Sequence, residues 1–210
     1  MKNLWYILYC ALFTSCSSGF SSEQDFFNWI SDENNGLIKE RDFGRMKIRV
    51  KYLPDEYLVY NELKKAGAGR SVEMADSLRA AYRDTRTFLM TFEFEQEFPG
   101  ENTLLYGTDS YEAYKERVEQ LSFKADNYIR VECGSGEYRP VLWTLENTQA
   151  PGNRKNLYLV FPKEKPDDQR ISMLFEDYLF ETGISRYVFN KKHFDQIPEF
   201  SFIDTFLKQQ

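Results

Sequence analysis

The chain has 210 residues, with 27 basic against 33 acidic side chains, a formal net charge of −6 and 42% hydrophobic residues. That apolar content, with 17% aromatic residues, excludes a disordered chain, and the acidic balance argues against a nucleic-acid partner. A chain of this length buries about 70% of its unfolded surface, enough for one substantial core.

The first fifteen residues differ from the rest. Lys2 gives a positive start, Leu4 to Phe13 are all apolar or aromatic, and the small residues Thr14 and Ser15 lead to Cys16. A positive start, a short apolar run and a small-residue exit make a secretory signal. At 1.5 Å rise per residue the run covers only about 15 Å, half a bilayer's hydrocarbon core. The stretch Leu12-Phe13-Thr14-Ser15-Cys16 resembles the lipobox of bacterial lipoproteins, with Phe13 where leucine is usual. The resemblance implies cleavage before Cys16 by signal peptidase II and diacylglycerol on its thiol, with a third acyl chain on its amine. Ser17 stands where an aspartate retains some lipoproteins in the inner membrane, which implies the outer membrane, periplasmic side. Residues 16–24 then read as a lipidated tether, with Ser17-Ser18-Gly19-Phe20-Ser21-Ser22 as its flexible part.

Beyond the tether, residues 22–33 predict a short amphipathic helix with Phe26, Phe27 and Ile30 on its apolar side. Residues 37–42 and 45–53 alternate around Asp42-Phe43-Gly44 and predict a hairpin. Two helices follow, one from Pro54 to an exit at Gly67, the other capped by Ser71 and ending near Asp84. Residues 86–97 predict a strand with Phe88, Met90, Phe92 and Phe94 on one face. Asp109 and Glu112 form a capping-box pair for a further helix carrying Tyr111, Tyr114, Val118 and Leu121.

The rest predicts strands: 128–133 and 137–146 as a hairpin around Gly134-Ser135-Gly136, then 157–161, 171–180 and 184–189. Pro140, which lacks an N–H, predicts an edge or a bulge. Trp143, Tyr158, Phe161, Tyr178, Phe180, Tyr187 and Phe189 are expected in the core. The fold class is α+β, a mostly antiparallel sheet with about three to four helices concentrated in the N-terminal half, forming one domain over 25–210.

Chemistry is sparse. With Cys10 in the signal and Cys16 lipidated, Cys133 is left alone, so no intrachain disulfide forms and a buried thiol is expected. His193 is the one histidine, expected at the surface or as a cap, and a zinc site draws on several such ligands. Gly134-Ser135-Gly136 lacks nucleophile-elbow spacing and Lys65 to Arg70 lacks the phosphate-loop pattern. Asp167-Asp168 and Glu176-Asp177 lack calcium-loop spacing, so no metal and no cofactor is expected.

One pattern joins distant segments. Arg45, Lys47, Arg49 and Lys51 share a strand face, as do Glu93, Glu95 and Glu97. Opposite charges across neighbouring strands contribute about 0.2–1 kcal/mol per pair, so the two strands are expected to be neighbours. The other reading is a basic strip for an anionic partner. The expectation is a non-catalytic envelope lipoprotein that binds the membrane through its lipid and associates with another envelope protein. The alternatives are an inhibitor or immunity-type protein steered toward a basic toxin, and a glycan-acting hydrolase.

Overall fold

The computed structural model describes residues 19–20, 22–94, 102–146, 152–163, 169–200 and 202–208. Two antiparallel sheets face each other. The larger is built from β1 (Ile38–Asp42), β2 (Met46–Leu53), β3 (Thr85–Phe94), β6 (Leu142–Leu145) and β7 (Arg154–Pro162), in the order β1-β2-β3-β7-β6. The smaller is built from β4 (Ile129–Cys133), β5 (Gly136–Tyr138), β8 (Arg170–Asp177) and β9 (Gly183–Asn190), in the order β5-β4-β8-β9.

Alternation in the strands makes the core. Phe88 and Phe92 of β3 are fully buried and meet Phe189 and Phe175 of the other sheet at ring distances of 5.3 and 5.9 Å. Each such ring contributes roughly 1.5–3 kcal/mol by leaving water. At one side of the sandwich the Arg41 guanidinium of β1 donates to the Arg186 carbonyl of β9 at 3.2 Å. At the other, the chain crosses from β5 to β6.

Helices α1 (Glu23–Ser31), α2 (Asp55–Ala66) and α3 (Val72–Tyr82) begin at local signals. Ser22 and Ser71 cap α1 and α3 through their hydroxyls, and α2 starts after Pro54 with Asp55 and Glu56 in its first turn. Gly67, at φ 55°, turns the chain out of α2. The first helix stands by the outer face of the larger sheet, where Lys51 Nζ donates to Ser31 Oγ at 3.2 Å.

Several expectations need correction. Helices are not confined to the N-terminal half: α4 (Tyr111–Phe123) is the further helix expected after Asp109, but α5 (Lys191–Asp195) and α6 (Phe202–Lys208) follow the last strand. Elements of five and seven residues show too few turns for a helical period, and tertiary burial of Phe194, Phe200 and Ile203 holds this C-terminal segment. The cap of α4 is Ser110, whose hydroxyl accepts from the Ala113 N–H, one residue later than the Asp109 box.

Residues 137–146 are not one strand. The chain breaks at Arg139-Pro140, and Leu142–Leu145 joins the other sheet, because proline cannot donate to the ladder beside β4. The stretch expected as tether is partly docked. The Phe20 N–H donates to the Glu199 carbonyl at 2.9 Å, and its ring packs on Phe26 and Trp29 at 5.2 and 5.8 Å.

Of the expected core aromatics, Phe161, Phe180, Tyr187 and Phe189 are buried, Trp143 and Tyr158 are half-buried, and Tyr178 is exposed. No helix among the described residues is long and apolar enough to cross a membrane.

Candidate binding cleft

A cleft of about 610 Å3 opens where the end of β2, the first turn of α2, the start of β3, the end of β7 and the C-terminal segment converge. Its size falls in the range of small-ligand pockets, roughly 300–1,000 Å3. The Tyr52 and Phe194 rings stack at 4.1 Å. The Arg86 guanidinium lies over them, 5.0 Å from the Phe194 centroid and 5.9 Å from that of Tyr52. Arg86 is 9% exposed, and it reaches this position because it occupies the same face of β3 as Phe88 and Phe92.

Asp55 shares the cleft with Arg86 and Lys163. Burial pushes its carboxyl above the usual range, while the charges of Lys163 and Arg86 pull it back. Beside it, the Glu56 carboxylate takes a two-pronged pair from Arg79 at 2.9 and 3.2 Å, tying α2 to α3. The opposite wall comes from the C-terminal segment and carries Asp195, Glu199 and Asp204. All three are exposed, and none forms an ion pair among the described residues. The cleft thus has two different sides: Asp55 with Arg86 and Lys163 beside the Glu56–Arg79 pair, and three carboxylates facing solvent.

The basic strip is interleaved with acids. Strands β2 and β3 are neighbours, with Lys47 directly opposite Glu93. On the other side β1 brings Asp42 to 3.8 Å from Lys47 and Glu40 to 2.6 Å from Arg49, and Glu33 adds a 3.6 Å contact to Arg49. Glu93 is taken by Arg154 of β7 at 2.7 Å. Arg45 lies outside the strand, exposed in the turn before it. Lys51 is half-buried, and desolvation, with Arg49 beside it, lowers its pKa to about 8. Glu95, Glu97 and Cys16 lie outside the described residues.

Cys133 is a buried free thiol at the end of β4. His193 is half-buried rather than superficial, its ring against Gly36. Among the described residues, no group of three or more His, Cys, Asp or Glu is arranged to hold a metal ion.

Sequence reasoning missed the cleft because its residues span from Phe26 to Asp204 without a common spacing. One signal was present: Arg86 is a charged residue in phase with Phe88, Met90, Phe92 and Phe94. A charge on a buried face needs a local reason to be there. Comparison with protein-family models, curated proteins and solved structures found no match.

Proposed function

We propose that this chain is a lipid-anchored envelope protein, held by Cys16 on the periplasmic side of the outer membrane, whose folded part is an accessory or partner-binding subunit. The observation that carries the reading is the short covalent distance between anchor and fold. Phe20 is fixed to Glu199 by its N–H and lies four residue steps after Cys16. At 3.3–3.6 Å per residue that span reaches at most about 14 Å. Acyl chains on Cys16, each buried methylene contributing about 0.8 kcal/mol, then hold the cleft wall close to the headgroups.

Labelled palmitate fed to cells expressing the wild-type chain or Cys16→Ala tests the anchor. Label in the wild type alone is the expected result. An unlabelled wild-type chain, or mass spectrometry showing an intact unmodified start, overturns it. Gentle crosslinking of the wild-type chain tests the partner, and recovery of monomer alone counts against that part.

A second reading is an inhibitor or immunity-type protein for a basic toxin. The exposed Asp195, Glu199 and Asp204, which form no ion pair among the described residues, together with the net charge of −6, favour it by steering a cationic partner toward one end of the fold. Deletion of the gene sensitising cells to a secreted basic toxin distinguishes this reading, and no change in sensitivity removes it.

A further inference from the structure

We propose that a groove apart from this cleft, between α2 and the β6–β7 edge of the larger sheet, is a binding site for uncharged pyranose sugars. The proposal stands on the fold and does not depend on Cys16.

The groove measures about 540 Å3, within the range of small-ligand pockets, roughly 300–1,000 Å3. Strand alternation makes its floor. Leu157 and Leu159 of β7 are fully buried in the core, which turns Tyr158 to the opposite face, between Leu89 of β3 and Thr144 of β6. Helix α2 makes its wall, with Tyr57 and Asn61 one helical turn apart and so on one face. The Tyr57 ring is held by Phe27 and Phe26, at ring distances of 5.6 and 6.5 Å. Burial first, then Glu146 and Tyr57 nearby, push the Tyr158 phenol above its ordinary value, so it stays an O–H donor at neutral pH.

The charges around the groove are already matched. Lys65 binds Glu62 at 2.8 Å and Lys64 binds Glu23 at 2.9 Å. Glu146 accepts from the Asn156 amide at 2.8 Å. What is left is neutral: the hydroxyls of Tyr57, Tyr158 and Thr144 and the amide of Asn61. None of these four side chains forms a hydrogen bond among the described residues.

A hydroxyl both donates and accepts, and an amide offers both functions, which is what the hydroxyls of a sugar need in return. A tyrosine face carries partial negative charge, and it attracts the partially positive C–H groups on the flat side of a pyranose. A charged ligand would have to disrupt an existing pair. An apolar ligand would desolvate four polar groups without replacing their bonds to water. An uncharged pyranose does neither.

The test uses the full chain in a detergent without a sugar headgroup. Chitotriose, maltotriose and cellotriose are titrated by calorimetry and by saturation-transfer NMR. Saturable binding of at least one is expected, with transfer strongest at ring C–H protons and affinity equal at low and high salt. Chitotriose against the other two tells an N-acetylated sugar from a plain hexose.

Tyr158→Thr keeps a strand-forming residue and removes the ring, and is expected to weaken binding about tenfold or more. Asn61→Ala favours the helix and removes only the amide, and is expected to weaken binding about threefold to tenfold at an undiminished thermal midpoint. Tyr111→Ala removes a tyrosine that is 70% exposed on α4 and does not line the groove, and binding stays at the wild-type value. Binding of none of the three sugars overturns the site. So does undiminished binding by Asn61→Ala and Tyr158→Thr, or an equal loss in Tyr111→Ala. Binding that falls steeply with salt overturns the neutral ligand in favour of a charged one.

Discussion

The His193 imidazole lies directly on Gly36: a Cβ added to that glycine would sit 2.0 Å from Nδ1. Gly36 is at φ 74°, closing the turn between α1 and β1, while His193 belongs to α5 at the other end of the chain. The contact locks the C-terminal segment against the N-terminal one, and Nδ1 is buried there without a hydrogen-bond partner among the described residues.

Gly36→Ala is therefore expected to destabilise the fold by about 3 kcal/mol or more, combining backbone strain with a steric clash. In a His193→Ala background the clash is gone, and the penalty falls to the left-handed backbone cost of about 1–2 kcal/mol. Urea unfolding of the four proteins in this cycle measures the difference. Equal penalties in both backgrounds would show that the ring does not constrain the glycine.

Arg117 anchors the middle of the chain. It is 7% exposed and donates to the carbonyls of Leu104, Tyr106 and Leu179, with its guanidinium 4.3 Å from the Phe180 ring centre. Arg117→Met leaves buried carbonyls without donors and is expected to cost about 3–5 kcal/mol. Lysine recovers little of this, because a single ammonium cannot fork to three acceptors. Full stability of Arg117→Lys would contradict this role.

The pH dependence of stability carries the imprint of Lys51. Its amine titrates at about 8 in the fold against 10.5 ordinarily. Between those values the unfolded chain binds more protons, so this residue's contribution to stability rises with pH across that window. Lys51→Met is expected to gain about 1 kcal/mol at neutral pH, discounted for partial exposure, and the gain shrinks toward pH 10.5. Denaturant midpoints of wild type and variant, compared across pH, check this. A constant difference would mean that the amine is not perturbed.

The cap of α4 separates two neighbouring residues. Ser110→Ala is expected to lower stability by about 1 kcal/mol, whereas Asp109→Ala leaves it nearly unchanged. The reverse order in thermal midpoints would move the helix start back to Asp109.

Local physics explains which features were legible beforehand. The alternation of Phe88, Met90, Phe92 and Phe94 identified β3 and its buried face, and the charges of Lys47 and Glu93 identified β2 as its neighbour. Ser71 and Gly67 marked helix ends because capping and positive φ involve only adjacent residues. The Arg139-Pro140 switch between sheets was half legible: proline forbade continued pairing but did not say where the chain would go next.

Sequence by itself determined the α+β class, most strand and helix positions and the lipobox-like pattern at Cys16. These follow from periodicity, counting and short-range chemistry. Only the tertiary structure decided that Phe20 docks on Glu199, that α5 and α6 cover one end of the sandwich, and that Asp55, Arg86, Lys163 and the C-terminal acids share a cleft. Those relations depend on which segments meet when two sheets close over one core. The packing that brings distant side chains together leaves no periodic trace along the chain.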